Sequence, residues 1–386
     1  MIGFKYYNPA RIIFGEDSEK ALPDLLTQYE VKSLLLIYSG DFIRTLGIHS
    51  LIRETVKELG IHLLENGNVV PNPSVELVRE LVEQGKKENA DFVLAVGGGS
   101  SIDTAKAVAL GIPYEGDVWD FFDKGVSPRK VLPVGVIATT ASSGSETSNA
   151  AIISNGEWKL GFEDDRIIPQ FAIMNPRFTV GLPPYQTFVG IADVLTHLLE
   201  RYFSDERHSD TTDYLIEGAV RALLLNAGRL LKDPGDVNAR GEIQWLASVA
   251  HNNFLDAGRR ADWASHRIEH ELSAQYNITH GEGMAVTITA WTKYMAEKKP
   301  WRPALLASRV FGADPYDHTE KERAYILAEK LSEFFRKLGL RITLAEFGID
   351  DRDFEVMAER ATRNGRVGHY LPLDASGIVE ILNLAR

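Results

Sequence analysis

The sequence predicts an α/β domain with a parallel sheet over residues 1–180, followed by an all-α domain over residues 181–386. Three observations carry this. Early in the chain, short apolar runs alternate with helix-like stretches, the pattern of a helix-covered parallel sheet. After Leu182-Pro-Pro184 the patterns turn mostly helical, with few β-rich runs. At 386 residues the chain is long enough for two domains with their own cores.

The elements follow in order. Ser33-Leu-Leu-Leu-Ile-Tyr38 is an apolar run ending at Ser39-Gly40, as suits a buried parallel strand. Helix-like stretches cover Ile48 to Leu59 and Ser74 to Asn89, the second with Ser74 as its N-cap. Asp91-Phe-Val-Leu-Ala-Val96 is a second strand, running into Gly97-Gly-Gly-Ser-Ser101 and a helix through Leu110. Val131 to Ala138 is a third strand, entering a Thr/Ser-rich turn. Beyond the boundary, Asp233-Pro-Gly235 and Lys299-Pro300 mark loops between helices.

Composition excludes several function classes. A net charge of −12 with no basic run argues against nucleic acid or an anionic membrane as partner. No apolar stretch is long enough to span a bilayer. Met1-Ile-Gly-Phe-Lys-Tyr-Tyr lacks the apolar core of a signal peptide, so a cytoplasmic protein is expected. With no cysteine, disulfides are impossible and any metal must take N and O ligands.

Two turns are candidate phosphate sites. Gly97-Gly-Gly-Ser-Ser-Ile-Asp103 stands where a strand meets a helix, so its backbone can approach a phosphate closely at a helix N-terminus. It is not the G-x-G-x-x-G fingerprint, and a tight turn needing only small residues has the same pattern. Thr139-Thr-Ala-Ser-Ser-Gly-Ser-Glu146 is a second such turn. Open α/β sheets place ligands at turns of this kind, at the carboxyl ends of strands.

The most informative residues are Asp193 and His197 in Gly190-Ile-Ala-Asp-Val-Leu-Thr-His197, His266 in Asp262-Trp-Ala-Ser-His266, and His280 in His280-Gly-Glu-Gly. One carboxylate and three imidazoles make a ligand set for a divalent transition metal. Asp193 and His197 are one helical turn apart. They fall opposite the apolar stripe of Phe188, Ile191, Leu195, Leu198 and Tyr202, so they are expected to face water or a polar cleft, near Glu200. Trp263, His266, His270 and Ser273 form one helical stripe. His49, His62, His208 and His318 sit in no motif and read as surface residues. His266-Arg-Ile-Glu-His270 also fits H-x-x-E-H, a zinc-peptidase pattern with Glu269 as base. That reading leaves Asp193, His197 and the glycine turn unused.

Taken together, the motifs resemble the iron-containing (group III) alcohol dehydrogenase family, essentially end to end. In the family's order stand Tyr7-Asn-Pro-Ala-Arg-Ile-Ile-Phe-Gly15, similar to its first hairpin, then Gly97-Gly-Gly-Ser-x-x-Asp103 and Gly116-Asp-Val-Trp-Asp120. Gly144-Ser-Glu146, Asn175-Pro176, Leu182-Pro-Pro184, Asp193-x3-His197, His266-x3-His270 and His280 follow. Asp262-Trp263 and His270-Glu-Leu272 resemble the butanol dehydrogenase branch.

The resemblance implies an N-terminal nucleotide-binding domain and a helical metal-binding domain, a dehydroquinate synthase-like fold with a cleft between the two. It implies metal ligands Asp193, His197, His266 and His280, with His270 lining the site as a candidate proton relay. Gly97, Gly98 and Ser100 match the pyrophosphate turn, and Asp103 a residue beside the cofactor. Thr139, Ser142 and Ser143 fall in the second cofactor loop, and Lys159 matches a lysine on the ribose. The implied activity is hydride transfer between a primary alcohol or aldehyde and NAD(H) or NADP(H). The implied metal is Fe²⁺, with Zn²⁺, Co²⁺ or Ni²⁺ chemically acceptable, and the implied assembly a homodimer.

One turn departs from the family. Where the butanol dehydrogenase branch has Tyr-Gly-Gly-Gly-Ser and basic residues, this chain has Tyr38-Ser-Gly-Asp-Phe-Ile-Arg44. Gly40 aligns with the acid of NAD-preferring relatives. Asp41 beside it can bond a ribose 2′-hydroxyl, and Arg44 can meet a 2′-phosphate, so both cofactors stay open. A glycerol dehydrogenase-like or dehydroquinate synthase-like enzyme remains an alternative on the same fold. The latter needs a basic cluster, for which Arg259, Arg260 and Arg267 are the nearby residues.

Overall fold

The computed structural model describes residues 1–386. The chain divides into two compact units, one of Tyr7–Leu182 with Gly235–Asn252, the other of Met1–Tyr6, Pro183–Pro234 and Asn253–Arg386. In the first stand β1 (Arg11–Phe14), α1 (Leu22–Gln28), β2 (Ser33–Tyr38), α2 (Phe42–Thr45), α3 (Ile48–Leu59), β3 (His62–Asn66) and α4 (Val75–Lys87). They are followed by β4 (Phe92–Gly97), α5 (Gly99–Gly111), α6 (Trp119–Asp123), β5 (Val134–Ala138), β6 (Ala150–Asn155), β7 (Trp158–Glu163) and β8 (Phe171–Met174). Helices α7 (Pro184–Tyr202) and α8 (Asp210–Lys232) open the helical unit, while α9 (Val237–His251) belongs to the α/β unit. Helices α10 (Ala264–Tyr276), α11 (His280–Lys298), α12 (Trp301–Phe311), α13 (Glu320–Lys337), α14 (Phe354–Ala361) and α15 (Ala375–Leu384) complete the helical unit.

The six-stranded sheet has the order β1-β8-β5-β4-β2-β3, and all its pairings are parallel. β2 and β4 are buried at every position, which is why they read as unbroken apolar runs. Tyr38 pairs with Val96, and Gly97 with Ala138. The turns that follow β2, β4 and β5 therefore stand side by side at the carboxyl ends of adjacent strands. Ser74 caps α4 by accepting from Leu77 N at 3.4 Å, as its sequence position predicts.

Four features differ from the sequence reading. The opening segment forms no hairpin within the chain. Residues 1–10 contain no strand, and β1 pairs only with β8. Helix α9 joins the α/β unit, where Gln244 Nε2 donates to Ala138 O at 3.3 Å; its periodicity is that of any helix and carries no address. His49 is buried, with Nε2 2.8 Å from Glu65 Oε2 and Nδ1 3.2 Å from Arg44. Helix α7 has no solvated face, because every residue from Thr187 to Tyr202 is buried against neighbours that include α8 and α11. No helix is long and apolar enough to cross a membrane.

Candidate active site

Helix α7 places Asp193, His197 and Glu200 at i, i+4 and i+7, on one face, and all three are buried. Helix α10 supplies His266, Glu269 and His270, and α11 begins at His280. Gly281 explains how α11 reaches α7, because a Cβ there would collide with the Val189 carbonyl. Gly283 does the same for α10, where a Cβ would lie 2.8 Å from Glu269 Oε1. The two glycines of His280-Gly-Glu-Gly thus allow close packing.

The result is a compact ligand cluster. The ligand atoms of Asp193, His266 and His280 all lie within 4.8 Å of one another. His280 Nε2 is 3.5 Å from Asp193 Oδ1, and His197 Nε2 is 3.8 Å from the same oxygen. His197 stacks on His266 with ring centroids 4.8 Å apart. It stands at the margin of the three-residue group. His270, half-buried, faces His280 with centroids 5.8 Å apart.

Buried carboxylates hold two of the imidazoles from behind. Glu200 Oε1 accepts from the Ser265 hydroxyl and from His266 N at 3.0 Å, and lies 3.1 Å from His266 Nδ1. Glu269 holds His280 Nδ1 and accepts from the Ser273 hydroxyl. A carboxylate on Nδ1 selects the tautomer whose Nε2 carries a free lone pair, the usual support of a metal-binding histidine. His266 Nε2 is buried without a hydrogen-bond partner, a costly state unless something else uses that lone pair. The donor set therefore fits a divalent metal. Burial, and then the nearby Glu200 carboxylate, push Asp262 up to about 7, because desolvation disfavours the charged form first and the like charge adds to it.

The arrangement bears on the other readings. His266 groups with Asp193 and His280, whereas His270 groups with Glu269 and His280, and Glu269, fully buried, is bonded to both Ser273 and His280. Neither fact suits the H-x-x-E-H pattern as a peptidase site. Arg259 is committed to Asp213 and Ser209, and Arg267 to Glu271 and the carbonyls of Arg360 and Ala361. Phe254 packs edge-on against Tyr6.

In the α/β unit the two predicted turns meet. A Cβ at Gly98 would lie 2.5 Å from Thr140 Oγ1, and one at Gly99 2.7 Å from Ser143 Oγ. Thr139 N donates to Gly97 O at 3.0 Å. Gly98 is the N-cap of α5, so the first N–H groups of that helix, Ser100 among them, have no partner within it. His251 Nδ1 lies 2.6 Å from Ser143 O, while Ser142 stands one residue earlier in the same turn. Asp103 is engaged at both oxygens, by the Ser145 hydroxyl at 2.6 Å and Ile152 N at 3.1 Å. Lys159 is buried on β7 in register with Ser154. Gly40 adopts φ +62. The Asp41 side chain is 93% exposed, with its carboxylate 3.4 Å from Arg44 Nε.

Sequence reasoning missed Lys106. It is fully buried, and its Nζ donates to Ser145 Oγ (2.9 Å), Ser148 O (2.9 Å), Ser148 Oγ (3.1 Å) and Ala150 O (2.8 Å). Burial lowers it to about 8, against the pull of Asp103 and Glu146. Burial raises Glu146, which accepts from the Ser248 hydroxyl. The available signal was a lone lysine in the otherwise apolar run from Ala105 to Leu110, since a charge there must find partners.

Known proteins share this architecture. Residues 9–176 match the family described as iron-containing alcohol dehydrogenase, and residues 187–385 its C-terminal counterpart. The chain is 35% identical over 384 residues to a probable NADH-dependent butanol dehydrogenase 1 of Bacillus subtilis, covering 99% of both. It is 34% identical over 387 residues to NADH-dependent butanol dehydrogenase A of Clostridium acetobutylicum, again covering 99% of both. The crystal structure of NADH-dependent butanol dehydrogenase A from Thermotoga maritima superposes with a TM-score of 0.94 at 32% identity, covering 99% of this chain and 98% of that one. The chain belongs to the iron-containing alcohol dehydrogenase family.

Proposed function

We propose that this enzyme interconverts primary alcohols and aldehydes using NADH, with a divalent metal, iron by family, held by Asp193, His197, His266 and His280. The observation that carries this is the buried ligand cluster, above all the unpartnered His266 Nε2 opposite an Nδ1 held by Glu200. When bound, the metal supplies Lewis-acid polarisation of the substrate oxygen and the nicotinamide supplies or takes the hydride. Asp193 contributes the one anionic ligand. Glu200 and Glu269 fix the tautomer and ring orientation of His266 and His280.

His270, half-buried beside His280, carries the alcohol proton toward water as a positioned acid–base group. His270→Ala is expected to keep the metal and to lose about 10²- to 10³-fold in kcat. Metal analysis together with steady-state rates checks this. Loss of metal in that variant would instead make His270 a ligand.

Asp41 supports the NADH preference. Its carboxylate stands exposed at the turn after β2, one residue past the position that carries the acid in NAD-preferring relatives, and from there it can bond a ribose 2′-hydroxyl and repel a 2′-phosphate. The names of the two relatives above point the same way. Gly97, Gly98 and Ser100 are the proposed pyrophosphate contacts at the N-terminus of α5. Asp103, Thr139, Ser142, Ser143 and Lys159 complete the proposed cofactor set.

The deciding assay is oxidation of NADH and of NADPH by metal-reconstituted protein with butanal. Fast, chelator-sensitive oxidation, stronger with NADH, is expected. No oxidation of either, across metals and aldehydes, would reject the proposal, and activity with glycerol alone would move it to a polyol. We further propose a cytoplasmic homodimer. Met1, Ile2, Phe4, Tyr6 and Tyr7 are each at least 41% exposed, and exposed apolar side chains gathered in one segment are what a protein–protein contact would cover. A mass by light scattering of one chain would refute the dimer.

A further inference from the structure

We infer that Trp263 is a positioning residue for the metal site, holding the His197 imidazole in place against that of His266. This rests on the reading of His197 and His266 as ligands. Trp263 breaks two local preferences at once. Its backbone is left-handed, φ 65 and ψ 13, a conformation bulky residues rarely adopt and glycine adopts freely. It also occupies the N-cap of α10 without a side-chain cap bond, where Ser, Asp or Asn is usual. Such outliers persist only where the surroundings enforce them, and they gather at functional sites.

The surroundings here are specific. Asp262 N donates to Glu200 O at 2.9 Å, and Asp262 Oδ1 accepts from His369 N and Tyr370 N at 2.8 Å each. After Trp263, Glu200 holds Ser265 and His266, and Arg267 N donates to Trp263 O at 3.2 Å. The turn is clamped on both sides of the tryptophan, largely by the glutamate that supports His266.

Its ring then meets both imidazoles edge-on, at 5.1 Å from His266 and 6.0 Å from His197. The buried Arg201 guanidinium lies 4.6 Å from the indole centroid, and its Nη1 donates to the His197 carbonyl at 3.4 Å. Ring and backbone of His197 are thus tied through one tryptophan–arginine pair. His197 is also the proposed ligand outside the tightest group, so its orientation depends most on packing. Ligand side chains need their orientation held within narrow angles, and Trp263 packs edge-on against both rings.

The test is Co²⁺ binding to the metal-free protein, followed by its visible absorption and by competition, in Trp263→Gly and Trp263→Phe. Glycine relieves the backbone and removes the ring; phenylalanine keeps an aromatic edge. The glycine variant is expected to lose about tenfold or more in Co²⁺ affinity, with an altered Co²⁺ spectrum, and the phenylalanine variant to recover most of both. Unchanged affinity and spectrum in a folded glycine variant would overturn the inference while leaving the ligand set intact. Absence of stoichiometric Co²⁺ in the unsubstituted protein would overturn the ligand set, and the inference with it. Should the glycine variant not fold, Trp263→Leu, apolar but without an aromatic edge, takes its place under the same two outcomes.

Discussion

Replacing His266 by alanine is expected to remove the metal and to lower kcat/KM by about 10³-fold or more, because Lewis-acid stabilisation is worth several kcal/mol. His266 is the strongest choice among the proposed ligands. Its Nδ1 faces a fully buried carboxylate, its Nε2 has no protein partner, and its ring stacks on His197. Metal content per chain and rates with butanal, measured on the same preparation, check the result. Full metal content with full activity would remove His266 from the ligand set. Glu200→Gln should fall between the two, losing about 10- to 100-fold in metal affinity, since it disturbs orientation without deleting a ligand.

Replacing Lys106 by methionine is expected to cost about 1–3 kcal/mol of stability. The substitution leaves Ser145, Ser148 and Ala150 without their common donor, and buried polar groups without partners are expensive. The same loss should loosen the turn proposed to hold the cofactor and raise the KM for NADH by about tenfold, the effect of about 1.4 kcal/mol.

The pH dependence of that stability has a definite sign. Burial puts Lys106 at about 8 in the folded chain, against 10.5 ordinarily. Below pH 8 both folded and unfolded chains hold the proton, and the folded chain bears the full cost of the buried charge. Between pH 8 and 10.5 the unfolded chain alone keeps it, so this group's contribution to stability rises with pH. The stability gap between the unsubstituted protein and Lys106→Met should widen across that window, by at most about 3 kcal/mol. Urea unfolding of both proteins at the two ends of the window measures it, and a gap that is flat or narrows contradicts the assignment.

Much of the molecule was legible in one dimension. The unbroken apolar runs at Ser33–Tyr38 and Asp91–Val96 became the buried centre of a parallel sheet, because strands covered on both faces have no polar side to show. The turns after them met at the carboxyl ends of neighbouring strands. Asp193, His266 and His280, 87 residues apart at the extremes, came within ligand distance of one another.

Other features had no sequence signal strong enough to read. Helix periodicity describes one helix and its polar face, and Asp193 and His197 looked solvated by that measure. Only neighbouring helices decide whether such a face meets water or other side chains, and here all of α7 from Thr187 onward is buried. The carboxylates behind the imidazoles belong to the same limit. Glu200 serves a histidine 66 residues away, and Glu269 one 11 residues away, so neither spacing forms a local pattern. Residue types and short-range spacing determined the fold class and marked the glycine-rich and Thr/Ser-rich turns and the proposed ligands, since those depend on local chemistry. Which groups pair, which charges are buried and what strain Trp263 carries were decided by tertiary packing alone, since burial and long-range contact exist only once the helices have been brought together.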